Sequence, residues 1–237
     1  MSEFDPDDLV RKDIVSVAKA YVSSLVDDLE GDNDFIPFLM IQPMGTDFDI
    51  GNWHMLAAVM PGEPEQKNRI ADFFTAACAV YNAEEVVFCS AGWSVKNPCK
   101  EEMKMAPSDS PMREENVFIA HSTRFTGNNV GHHSSAIVRE GGKVFLSKWE
   151  DMVGIAAVGR FAEAITLGLK LAVEMPPDVR EGVTEMIANG QEEKLISAMA
   201  AVVSSARATA HSMFESKSGK GKLGEQGDML LGGDVDE

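Results

Sequence analysis

His121, His132 and His133 are the side chains in this sequence whose type and spacing come nearest to acid–base or metal chemistry. His121 falls in the alternation Val117, Ile119, His121, Thr123, Phe125, so on a strand it shares one sheet face with apolar neighbours. A histidine there serves as a general base or a ligand, or it is a core residue satisfied by a backbone carbonyl. His132 and His133 are adjacent. On a strand they point to opposite faces and cannot chelate one ion together, whereas a loop would allow it. No HExxH, no His-x-His with a following aspartate and no Asp/His ladder is present. The sequence therefore assigns no metal ligand and calls for no cofactor.

Nucleophile and phosphate motifs are missing too. There is no GxSxG elbow. Cys89 precedes Ser90 in an apolar run that reads as a buried strand, where a thiol lacks the electropositive, exposed setting that lowers its pKa. Cys99 lies near Lys96 and Lys100 in a polar stretch and is the more reactive of the two, but no base accompanies it. Neither GxxxxGK[ST] nor GxGxxG after a strand occurs, and the GKGK at 219–222 follows no strand. Glu114 and Glu115 are adjacent and would face opposite sides of a strand, unlike the facing carboxylates of a glycosidase.

Recognition chemistry is better represented. Residues 107–121 read PSDSPMREENVFIAH, a loop followed by a strand opening on Arg113, Glu114 and Glu115. Trp93 ends the strand before that loop. If the two strands are hairpin neighbours, Trp93 and Arg113 meet at one end of the sheet. With Glu115 they would form a recognition spot for a peptide or another subunit. The plainer alternative is an Arg–Glu pair tying down the loop, with Trp93 and Trp149 closing the core.

The elements that must position these groups follow from periodicity. Ile14, Val17, Tyr21, Leu25 and Leu29 make one stripe of a helix over 13–30. Residues 34–45 form a strand whose Pro37 and Pro43 suggest an edge or a bulge, and 53–60 form a second strand. A helix over 64–82 carries Ile70, Phe73, Phe74, Ala77, Cys78 and Tyr81 on one face, so Cys78 reads as a small buried hydrophobe. Strands follow at 84–93 and 114–125, then a hairpin over 134–150 turning on Gly141 and Gly142. Beyond residue 150 no strand pattern recurs. Helices are expected at 151–174, 178–188 and 192–214, the last with Leu195, Met199, Val202, Ala206, Thr209 and Met213 at heptad-like spacing.

Charge and composition bound the function. The 237 residues hold 38 acidic and 21 basic side chains, a net charge of −17, which disfavours attraction to nucleic acid or anionic lipid. Three cysteines without a CxxC pair argue against a disulfide framework or structural zinc. The N-terminal MSEFDPDDLV has no basic or apolar region of a secretory signal, and the apolar stretch 152–173 is interrupted by Arg160, Glu163 and Lys170. A cytoplasmic location is expected.

From about residue 34 to 149 the order of motifs resembles a widespread family of small bacterial and phage α+β proteins to which no activity is attached. The matching pieces are Pro37-Phe38-Leu39, the Ser-x-x-Trp of Ser90 to Trp93, Pro107-Ser108, Arg113-Glu114-Glu115 and the hairpin over 137–149. In that pattern Glu commonly follows the serine, whereas this chain has Ala91. The resemblance implies an α+β sheet protein and nothing about the C-terminal helices.

The expectation is an α+β fold, a mainly antiparallel sheet of about five or six strands. One face packs on the two helices at 13–30 and 64–82, and a C-terminal helical region follows. The chain divides into an α+β domain at 1–150, a helical region at 151–215 packing on it or extending from it, and a disordered tail at 216–237. Lacking a catalytic constellation, the sequence favours a non-enzymatic cytoplasmic protein acting through protein–protein contacts and self-assembly. The partner is another copy or another protein, not nucleic acid or membrane. Two alternatives remain: a small hydrolase or metal-dependent enzyme using His121 with His132 or His133, and a small-ligand or peptide sensor using Trp93 and Arg113.

Overall fold

A computed structural model describes residues 13–27, 29, 35–45, 53–96, 99–125, 129–152 and 160–218. The fold is α+β, as expected. A curled antiparallel sheet is ordered β2-β1-β3-β4-β5-β6, with β7 also on β5. Its strands are β1 (Phe38–Pro43), β2 (His54–Ala57), β3 (Ala83–Val95), β4 (Arg113–Thr123), β5 (Asn129–Glu140), β6 (Lys143–Leu146) and β7 (Glu150–Asp151). The helices are α1 (Ile14–Asp27), α2 (Pro64–Val80), α3 (Arg160–Glu174), α4 (Pro177–Ala188) and α5 (Glu192–Ser218).

The two helices expected on one face lie on opposite faces. Phe38, Met40, Val87, Cys89, Val117 and Ile119 join α1 in one core, while Leu39, Ile41, Val86 and Phe88 join α2 in the other. Covering both faces is what makes β1 and β3 apolar in runs instead of alternating. The same coverage overturns the edge-strand expectation for β1, which lies between β2 and β3. Its prolines are tolerated because Pro37 precedes the strand and Pro43 closes it at a register shift after Gln42.

Ile165 and Leu169 of α3, Val183 of α4 and Ile196 of α5 complete the α2-side core, so the C-terminal helices pack as a layer over α2. Gly168 allows the close approach of α3 to α2: a Cβ there would stand 2.7 Å from both the Cys78 Cβ and the Thr75 carbonyl oxygen. α5 buries Ile196 and Val203 and packs the partly buried Leu195, Met199 and Ala200 on the same core, while Val202 and Ala206 of the heptad-like set are exposed.

Several boundaries differ from expectation; β5 opens at Asn129, ahead of the expected 134, and so takes in His132 and His133. A short strand, β7, follows residue 149, because Met152 N–H and the Ser147 backbone continue the β6 pairing along β5. The helix expected over 151–174 is described from Arg160, residues 153–159 lying outside the described residues, and α5 runs to Ser218, into the span expected as tail. The remainder of that tail lies outside the described residues. Gly141 and Gly142 turn the β5–β6 hairpin at φ 59° and 79°, as their sequence predicts. Among the described residues no helix is long and apolar enough to cross a membrane.

Candidate functional site: an open strand edge beside Trp93

β3 is longer than its neighbour. It pairs with β4 as far as Val95↔Arg113, but its pairing with β1 stops at Cys89↔Phe38. Among the described residues, 90–95 therefore have a strand on one side only. A groove of about 480 Å³ runs beside this edge, walled by Phe35, Ile36 and Val59, floored by Phe88 and Phe161, and bounded by Trp93 and Lys67. The floor is a packed aromatic cluster. Phe88 and Phe161 ring centroids are 5.3 Å apart, and Phe74 lies 5.8 and 5.9 Å from them.

The antiparallel β3–β4 register carries out the expected meeting at the mouth of this groove. Glu115 is directly across from Trp93, and Arg113 is its diagonal neighbour with the guanidinium 4.7 Å from the indole centroid. Trp93 stays 43 % exposed beneath it. Glu115 is engaged from the other side, since Arg139 Nε donates to its Oε2 at 3.1 Å. The Arg139–Glu115 pair spans β4 and β5 and ties down no loop; the loop is held instead by Arg113, which donates to the Ser108 carbonyl and forms no ion pair among the described residues. Lys67 is likewise without one.

The histidines divide as strand parity dictates. β5 contains His132 and His133, so they face opposite sides. His133 faces α1 together with His121, its diagonal neighbour, because Ile119↔His133 and His121↔Gly131 are the paired residues. Each of these two is held by a carboxylate. His121 Nε2 lies 3.1 Å from Glu85 Oε2, and His133 Nδ1 lies 2.6 Å from Asp151 Oδ1. Lys19 Nζ is also 3.1 Å from that Nδ1, which cannot donate to Asp151 and accept from Lys19 at once. The shorter, charge-assisted contact to Asp151 is the hydrogen bond, and the ammonium adds to the field on the carboxylate. The hydrogen bond from His133 holds the Asp151 carboxyl below the usual carboxylate range, with Lys19 contributing.

With Nδ1 protonated, the His133 lone pair sits on Nε2, which lies 3.5 Å from where a Gly131 side chain would begin. His132, on the other face, has its pKa lowered by burial and then by His133. Among the described residues no cluster of three or more His, Cys, Asp or Glu side chains is placed to hold a metal ion.

The thiols are plain. Cys78 is fully buried and pushed up to about 12, Cys89 is raised by burial, and Cys99 is exposed. Sequence reasoning missed the groove itself, because its walls come from the segments before β1 and after β2 and from α3, which no local pattern brings together. The unequal lengths of the apolar runs in β1 and β3 were the available signal. Neither protein-family models, curated proteins nor solved structures give a match to this chain.

Proposed function

We propose that this protein acts by contact with other polypeptides, taking an extended segment of a second copy of the chain along the open edge of β3. The observation that carries this reading is the coincidence of unpaired strand edge, apolar groove and exposed Trp93–Arg113 pair at one site. Strand addition draws affinity from main-chain hydrogen bonds and specificity from pockets for alternate side chains. Exposed Trp and Arg beside a pocket are the residue types that carry binding energy.

Charge selects the occupant. Lys67 lines the groove and Arg113 lies over Trp93 at its mouth, both free of ion pairs among the described residues, while the lining carboxylate, Glu115, is already paired with Arg139. An acidic segment with interspersed apolar residues complements them, and residues 228–237, DMLLGGDVDE, have that composition. Residues 204–206, 208 and 209 form the outer face of α5, while Val203 and Arg207 keep the helix on α2. The reading keeps the protein in the cytoplasm and away from nucleic acid and anionic membrane, which its charge repels. Native mass spectrometry of the full chain, a chain ending at 218 and Trp93→Ala tests it. The full chain should form a concentration-dependent oligomer that both changes reduce to monomer. A monomeric full chain, or an oligomer indifferent to both, overturns the reading.

A second reading rests on the diagonal placement of His121 and His133, each with its own carboxylate. Two oriented imidazoles on one face are suited to general acid–base hydrolysis. His132, on the opposite face, has no part in it. Turnover of 4-nitrophenyl esters abolished by both His121→Gln and His133→Gln supports this reading, and turnover indifferent to either removes it.

A further inference from the structure

A second concave site lies at the other end of the sheet, where β4 ends and α3 meets α4. It encloses about 580 Å³ and is lined by Met44, Asn82, Arg124, Phe125, Val173 and Arg180. Two guanidiniums converge there on one acceptor. Arg124 Nη2 and Arg180 Nη2 both donate to the Ala172 carbonyl at 2.5 Å. Arg124 Nη1 contacts the Met44 sulfur at 2.6 Å, Arg180 Nη1 donates to Asn82 Oδ1, and Arg180 Nη2 also reaches the Met175 carbonyl at 3.4 Å. Neither arginine forms an ion pair among the described residues, although the chain has a large excess of acids.

One cation at the end of α3 suffices to satisfy its last carbonyls and offset its dipole. A second on the same oxygen brings like charges together. Burial, and then Arg180, lower the Arg124 pKa, while Glu84 favours its charge through space without pairing with it. The pair thus carries positive charge in a concavity, offset through space by Glu84 and by no ion pair among the described residues. Each guanidinium has five N–H donors, and the bonds named above leave several of them unused.

Apart from Asn82, the rest of the lining is apolar and exposed. Phe125 is 73 % exposed, Val173 54 % and Met44 47 %. Large apolar side chains at such exposure beside two unpaired arginines describe a site for a molecule with both characters.

We infer that Arg124 and Arg180 form a binding site for a small organic anion, with an oxyanion head forked by the two guanidiniums and an apolar body packed on Phe125, Met44 and Val173. Carboxylate and phosphate heads share the chemistry that a guanidinium fork recognises. The site is separate from the β3 groove and independent of what occupies it.

Isothermal titration of the full chain with octyl phosphate, octanoate, inorganic phosphate and octanol tests the inference. Octyl phosphate or octanoate should bind saturably, at least tenfold tighter than inorganic phosphate and than octanol. The stronger of the two names the head group the site prefers. Arg124→Gln should weaken that binding tenfold or more, and Arg124→Lys should weaken it in part, since it keeps the charge and loses the fork. Phe125→Ala alters an exposed side chain, so it tests the apolar contact in a folded protein and should cost several-fold. Absence of saturable binding of both amphiphiles up to about 5 mM, equal binding of inorganic phosphate or octanol, or indifference to both Arg124→Gln and Phe125→Ala overturns the inference.

Discussion

His54 and His132 both favour the neutral form in the folded protein, and for the same leading cause, burial. His54 is stacked on Tyr81 with centroids 3.6 Å apart, and its nearby Glu192 only partly offsets the desolvation. Between the lowered folded pKa and the ordinary 6.5, the unfolded chain binds more protons, so stability falls as pH drops through that window. Asp151 behaves differently. Its carboxyl is lowered by His133, so its contribution is present above the ordinary 3.8 and fades as pH falls through the lower folded value. We expect Tm to decline from pH 7 to pH 5, and His132→Gln to remove part of that decline while leaving Asp151's acid limb in place. Melting curves from pH 7 to about pH 2 check both; a slope between pH 7 and pH 5 unchanged in the variant would contradict the assignment. Strand alternation made the separation of His132 from His133 legible in the sequence. It did not reveal that His121 and His133 share a diagonal, because that depends on the β4–β5 register, which shifts between His121 and Ser122.

The contacts between elements turn on smaller groups. Asp13 precedes α1 and accepts the Ser16 backbone N–H at 2.9 Å on Oδ1, while Ser16 Oγ donates to its Oδ2 at 2.8 Å. Asp13→Ala should cost about 1 kcal/mol, as loss of a helix N-terminal acceptor does. Gly168 and Gly182 make a sharper pair, since both lie in helices. A Cβ at Gly168 meets the α2 backbone at 2.7 Å, whereas nothing lies within 4 Å of one at Gly182. Gly168→Ala should destabilise by roughly 1–3 kcal/mol through overpacking. Gly182→Ala should stabilise by about 0.5–1 kcal/mol through helix propensity. Urea titration of the two variants gives opposite signs if the α2–α3 approach is as close as described. The helices and most strands were legible as elements from apolar spacing, but which face each helix covers was not. The α1 and α2 stripes look alike in sequence. Only the buried parity of β1 and β3 shows that the sheet has two covered sides.

At the level of the whole molecule, the C-terminal layer is fastened to α2 by a buried carboxylate. Asp72 is 2 % exposed, and Arg207 of α5 brings Nη2 to 2.8 Å from its Oδ1, off the N–H axis, so the contact is an ion pair without a formal hydrogen bond. Such a pair adds little net stability relative to a well-packed apolar pair, yet removing one partner strands a charge in low dielectric. Arg207 is itself partly open to solvent, which reduces the penalty. Arg207→Met should therefore destabilise by roughly 2–4 kcal/mol, and adding Asp72→Asn should recover a good part of that loss. The same variant asks whether the helices and the sheet melt together. Trp53, Trp93 and Trp149 all report from the sheet side of the chain, while far-UV dichroism is dominated by the helices. Ile165, Leu169 and Ile196 share one core with Leu39, Ile41, Val86 and Phe88. That sharing predicts that fluorescence and dichroism transitions coincide in the parent chain and shift together in Arg207→Met. Dichroism melting ahead of fluorescence in the variant would mean that the layer above α2 unfolds on its own, with the Asp72–Arg207 pair as its attachment.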